Sequence, residues 1–182
     1  MSVLTGAIVR LRPALEGDIE VLAAIRRTPE VHRRWGGDGD LTAEVAEGMQ
    51  RDDVHVLVIE LEARVVGAIQ WAEEDDPMYR HANVDIYVDP AVHGRRAGVD
   101  AVRTLVRHLF DVRHHHRVVI DPAADNEPAI RCYTAAGFRP VGVMRQYERG
   151  TDGTWHDGLL MELLADDAVA PGAHGSGSGG GG

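Results

Sequence analysis

The run ANVDIYVDPAVHGRRAGV spans residues 82–99. Its first half alternates. Val84, Ile86 and Val88 share one face and Asp85 and Tyr87 the other, which is the two-residue period of a strand. Pro90 closes the strand, and His93-Gly94-Arg95-Arg96-Ala97-Gly98 makes a turn. Val99, Val102, Leu105, Val106, Leu109 and Phe110 then recur at helical spacing, predicting a helix over about 97–111. A glycine-bearing turn that enters a helix presents unpaired backbone N–H groups at the positive end of the helix dipole, a setting suited to a pyrophosphate. Arg95 and Arg96 add fixed positive charge. Spacing alone fits an ordinary strand-to-helix turn with solvated arginines equally well. Neither GxxxxGK[ST] nor GxGxxG is present.

On the N-terminal side, AIVRLRPA reads as a strand and IEVLAAIRR after Asp18 as a short helix. PEVHRRWGG (29–37) and residues 42–50 read as two further helical pieces. VHVLVIEL (54–61) and RVVGAIQWAE (64–73) predict an antiparallel hairpin, with EEDDP (73–77) as a loop. On the C-terminal side, RVVIDP (117–122) is a short buried strand. NEPAIRCYTAAG (126–137) is a helix capped by Asn126, with Pro128 in its first turn and Gly137 at its end. FRPVGVMRQYERG and HDGLLMELL are the last two strands. This order predicts an α+β (mixed α/β) fold: a central, mostly antiparallel mixed sheet of about seven strands with helices on both faces. One domain over residues 1–164 is expected, followed by a flexible Gly/Ser-rich tail at 165–182.

Composition narrows the function. The 182 residues carry 19 bases and 29 acids, a net charge of −10, and every base is arginine. That field repels phosphate backbones and favours a cationic partner, so nucleic-acid binding is not expected. Without lysine there is no Schiff-base chemistry. No apolar run approaches the ~18 residues of a membrane span, and no signal peptide opens the chain. A lone cysteine, Cys132, forms no internal disulfide. A soluble, cytoplasmic protein without membrane association is the expectation. His114-His115-His116 cannot converge on one ion and reads as a solvated connection, so no metal site is expected.

The turn at 93–99 and the segment DPAADNEPAIRCYTAAGF (121–138) together resemble the GNAT superfamily of N-acetyltransferases. The second segment matches at Asn126, Ala129, Tyr133, Gly137 and Phe138, and the likeness covers roughly residues 7–164. WGGD (35–38), the VDIYV strand and AIRCYTAAGF are most similar to the aminoglycoside 6'-N-acetyltransferases. The resemblance implies acetyl transfer from acetyl-CoA to a primary amine of a cationic small molecule in a ternary complex, and a homodimer. A protein N-terminus or another small amine is an alternative acceptor. A non-catalytic acyl-CoA-binding domain is an alternative of another class.

Position by position, the resemblance makes Asp85 the carboxylate that binds or deprotonates the amine and Tyr133 the group beside the coenzyme sulfur. It gives Ile86, Tyr87, Val88, His93, Gly94, Arg95, Arg96, Ala97, Gly98, Val99 and Asn126 to the coenzyme. Asp121 becomes a second carboxylate of the acceptor site. The turn departs from the family pattern at His93 and at Arg96, which stands where a glycine is usual and where a positive φ would strain it.

The residues support part of this by themselves. A mid-strand carboxylate such as Asp85 is disfavoured by propensity; its other reading is a solvated or arginine-paired side chain. With an ordinary pKa of about 3.9 it would act as a base only if burial raised it, or by holding the ammonium while water takes the proton. Tyr133 is either a core tyrosine or the acid for a thiolate, whose ordinary pKa is about 8.5. Cys132 reads as a small buried apolar residue. Trp35 and Trp71 are candidates to pack on sugar faces, and Asp38 and Glu73 to sit at an acidic rim that attracts a polycation.

Overall fold

The computed structural model describes residues 2–37 and 39–168. Fourteen elements follow one another: β1 (Leu4–Thr5), β2 (Val9–Pro13), α1 (Ile19–Arg26), α2 (Pro29–Trp35), α3 (Leu41–Met49), β3 (His55–Leu61), β4 (Arg64–Glu74), β5 (His81–Val88), α4 (Ala97–Asp111), β6 (Arg117–Ile120), α5 (Glu127–Ala136), β7 (Arg139–Arg149), β8 (Trp155–Leu164) and α6 (Ala165–Ala168). The eight strands form one sheet in the order β1-β2-β3-β4-β5-β6-β8-β7. Only the β5–β6 pair is parallel. The mixed α+β architecture is as expected, with one strand more than about seven. The addition is the two-residue β1, too short to show a hydrophobic period.

Each face of the sheet carries its own core. On one face Leu11, Ile59, Ile69, Val84, Val118 and Met161 pack with Val102, Leu105 and Leu109 of α4 and Tyr133 of α5. On the other, Val58, Ala68 and Tyr87 pack with Leu22 and Ile25 of α1, Val31 of α2 and Leu41 and Val45 of α3. The alternation along β5 therefore buries residues on both faces, Val84 against α4 and Tyr87 against the first three helices.

The β3–β4 turn is closed by Glu62 and Ala63, both at positive φ (52° and 61°), the twist that a two-residue hairpin connection requires. Asp100, in the first turn of α4, accepts N–H bonds from Ala7, Ile8 and Val9 at 3.0, 2.7 and 3.0 Å. One carboxylate thus ties the β1–β2 turn to α4. Burial alone would raise its pKa; those three bonds hold it below the ordinary range.

Three expectations are corrected here. β4 holds Glu73 as its predicted strand does and runs one residue further, so Glu74 lies in the strand and not in the loop. The chain does not turn to tail after Leu164: α6 continues, with the Ala165 N–H on the His116 carbonyl at 3.0 Å and Arg139 paired with Asp167 at 3.6 Å. Residues 169–182 lie outside the described residues. His115 is not solvated. A positive φ at His114 (56°) turns the next ring inward, where it is 2% exposed and meets Glu73.

Candidate active site

β5 and β6 pair only at Ala82–Val118 and Asn83–Val119, then part. The cause lies in β6's continuation. After Ile120 the chain follows β8 instead: the Leu159 N–H bonds the Pro122 carbonyl and the Ala124 N–H bonds the Asp157 carbonyl, both at 2.8 Å. One edge of β5 is left open beyond Asn83. The Asp89 N–H bonds the Val66 carbonyl on the β4 side at 2.7 Å. In an antiparallel ladder of continuous register, residues 85 and 87 must then also face β4, and the backbone groups of 84, 86 and 88 face the opening. Ile86 and Val88 therefore offer N–H and C=O groups to whatever lies in the gap.

At one end of the gap stands the turn into α4. Gly94 and Arg96 both have positive φ (79° and 65°), so Arg96 does adopt the left-handed conformation that glycine accepts more easily. The backbone N–H groups of Gly94, Arg96, Ala97, Gly98 and Val99 have no protein partner among the described residues. Five free donors at the start of a fifteen-residue helix are a setting suited to an anion. The Arg95 guanidinium pairs with Glu62 at 2.5 Å, and His93 is exposed. Gly98 packs on α5 and β5: a Cβ there would meet Cys132 Sγ at 3.4 Å and Val88 Cγ2 at 3.7 Å.

At the other end lies a cleft of about 570 Å³ between the end of α2, the exits of β5 and β6, and the β7–β8 hairpin. Asp85, Ile86, Asp121, Asn126, Tyr133 and Trp35 line it. Trp35 stands edge-on to Tyr87 at 4.8 Å, with Arg26 over its face at 5.9 Å. Asn126 caps α5 with a 3.4 Å bond from the Ala129 N–H. Asp38 lies outside the described residues. Trp71 and Glu73 are not in the cleft. Trp71 is 2% exposed, stacked on His55 at 4.2 Å, and Glu73 is bound by Arg113 and His115. An acidic run in sequence does not reveal which of its charges will be neutralised inside the fold.

The hairpin contributes residues that sequence reading did not single out: Tyr147, Glu148, Asp152 and His156, with Asp125 and the arginines of α2 opposite. Their placement has a local cause. β7 breaks register between Met144 and Glu148; Gln146 takes a positive φ (50°), and its N–H is held by Asp157 Oδ1 at 2.8 Å. The bulge aims Tyr147 and Glu148 into the cleft.

Five carboxylates therefore face two arginines. Asp125 pairs with Arg34 at 2.5 Å and Asp152 with His156 at 3.0 Å. Asp85, Asp121 and Glu148 have no ion-pair partner among the described residues. Asp85 is reachable by solvent but set among the cleft walls, and desolvation raises its pKa above 3.8. The Gln70 amide opposes that shift, and Asp121 and Glu148 add to it by like-charge repulsion. Burial first, then Cys132, Asp85 and Asp121, push the Tyr133 phenol far above its ordinary range. Asp121 pushes Tyr147 up to about 12. A carboxylate made more basic thus shares a cleft with a phenol that keeps its proton, an arrangement suited to taking a proton on one side and giving one on the other. Burial raises the Cys132 thiol to about 11, which makes it a poor nucleophile at neutral pH.

Residues 9–139 match the acetyltransferase (GNAT) domain family, and the chain belongs to that family. It is 27% identical, over 154 residues, to aminoglycoside N(6')-acetyltransferase type 1 of Klebsiella pneumoniae, covering 75% of this chain and 76% of that one. Among solved structures, RimJ of Mycobacterium smegmatis in complex with CoA-disulfide superposes with a TM-score of 0.78, at 21% identity, over 93% of this chain and 88% of the other. AAC(6')-Ib in complex with ribostamycin and coenzyme A gives 0.73, at 24% identity, over 88% and 95%. Acetyl-CoA is the cosubstrate of such a fold, and the donor set of the α4 turn fits its diphosphate.

Proposed function

We propose that the protein acetylates a primary amine of a polycationic small molecule, with the 6'-amine of an aminoglycoside as the first candidate. The observation that carries this reading is the trio Asp85, Asp121 and Glu148, unpaired carboxylates in a cleft that opens onto the free edge of β5. Several ammonium groups on one acceptor would be held there at once.

In this reading the diphosphate of acetyl-CoA lies on the N–H groups of 94 and 96–99, and its pantetheine arm runs along Ile86 and Val88. The acceptor nitrogen attacks the thioester carbonyl directly. The C–N bond forms, the oxyanion is met by a β5 N–H facing the gap, and the C–S bond breaks. Asp85 takes the proton from the amine, directly or through water, and Tyr133 gives one to the departing thiolate. The relative of Klebsiella supports the acceptor class, and the negative charge of the chain agrees with it.

Thiol release from acetyl-CoA, measured with kanamycin-type aminoglycosides, spermidine and short peptides in parallel, tests this. Turnover with the aminoglycosides supports the proposal. Turnover confined to peptides moves the acceptor to a protein N-terminus. Coenzyme binding without turnover of any amine makes the protein a binding domain.

A further inference from the structure

Asp85 receives one hydrogen bond from protein among the described residues, from Gln70 Nε2 to Oδ2 at 3.3 Å. The two residues are register partners across β4 and β5, so their side chains leave the sheet on the same face. In that row Ala68 and Tyr87 are buried beneath α1–α3, whereas Ala72 lies opposite the exposed Asn83. Gln70 and Asp85 stand where the cover of the helices stops and the cleft begins. The other groups facing Asp85 are Asp121 beyond β6, Glu148 and Tyr147 of β7 and Tyr133 of α5; Arg33 and Arg34 of α2 stand across the cleft.

An isolated carboxylate among acids can rotate away from its repellers or take up a proton. A basic partner would fix it but would cancel the charge an incoming ammonium needs. A neutral amide donates one bond and cancels nothing. Glutamine reaches across the pair, while asparagine is one methylene shorter.

We propose that Gln70 is a positioning residue of this site: its amide fixes Oδ2 of Asp85 without neutralising the carboxylate and leaves Oδ1 to the acceptor's amine. The inference rests on Asp85 being the group that meets that amine.

The test is Gln70→Leu, with Gln70→Met as a second variant of similar bulk in case the first folds poorly. Carbon-13 NMR follows the titration of the Asp85 carboxyl and needs no acceptor. Loss of the bond to the charged form moves the Asp85 midpoint to higher pH in both variants. With an acceptor that turns over, kcat/KM falls about tenfold, its acid limb moves upward and the KM for acetyl-CoA stays put. In Asp85→Asn the same change at Gln70 costs nothing further. An unmoved Asp85 midpoint in a folded variant overturns the proposal, as does a loss that is additive with Asp85→Asn. Full activity of Asp85→Asn alone sinks the role of Asp85, whatever Gln70 does to the titration.

Discussion

Glu73 Oε1 meets His115 Nε2 at 2.9 Å while the same oxygen accepts Arg113 Nε and Nη2 at 3.0 and 2.9 Å. A carboxylate only accepts, so Nε2 carries the imidazole proton. Arg113 also lies 5.4 Å above the ring of Trp71. This cluster fastens the end of β4 to the connection between α4 and β6. Burial would raise the pKa of Glu73, but His115 and Arg113 outweigh it and hold the pKa below 4.5. The stabilisation is therefore complete above that ordinary value and is lost as pH falls through the lower, folded one. Glu73→Gln should cost about 2 kcal/mol at neutral pH and flatten the acid side of the stability curve, read by urea unfolding at several pH values.

Asp85→Asn should lower turnover by about a hundredfold or more while acetyl-CoA binding, measured by calorimetry, stays the same. In the proposed reaction the group acts when ionised, and desolvation raises its pKa. The acid limb of kcat/KM should accordingly be displaced to higher pH than an ordinary Asp would give.

Tyr133→Phe should reduce kcat about tenfold or more, because the thiolate then takes its proton from water. The ring remains to fill the core beside Phe138, so the melting temperature should hardly move. An unchanged kcat would remove the hydroxyl from the reaction.

Gly6→Ala should destabilise by about 1–3 kcal/mol. A Cβ there would stand 2.5 Å from Asp100 Oδ2 and from Thr104 Oγ1. The carboxylate cannot swing aside without releasing the N–H groups of Ala7, Ile8 and Val9. Thermal melting decides this.

Arg96→Gly should raise stability by about 1 kcal/mol, since glycine takes the observed φ of 65° without strain. Arg96→Ala should bring no such gain. Both should weaken acetyl-CoA binding if the guanidinium contributes charge to the diphosphate; calorimetry beside thermal melting separates the two effects.

The stretch from Ala82 to Asp111 was legible because its two periods, 2 and then 3.6, are local. The strain at Arg96 was legible through the resemblance instead, because the family pattern has a glycine at that position. Half of the cleft was not. Tyr147 and Glu148 lie over 60 residues beyond Asp85, and they reach it through a bulge that depends on Asp157 across the hairpin. The parting of β5 and β6 was equally hidden, because it comes from 121–124 preferring the edge of β8. Trp71 and Glu73 are candidate acceptor-binding groups in the sequence because an indole can pack on a sugar face and an acidic run can hold a polycation. Their partners, His115 and Arg113, come about 40 residues later in the chain.

β7 closes one end of the sheet and is exposed along nearly its whole length, with Val141 and Val143 more than half open. A flat apolar border of this kind would recruit strands from other molecules and seed fibrils. Here Pro140 withholds an amide, two register breaks twist the border, and arginines at 139, 145 and 149 keep like charges along it. The same kink that brings Tyr147 and Glu148 to the cleft thus also works against edge-to-edge pairing, and straightening it should lower solubility as it empties that side of the cleft.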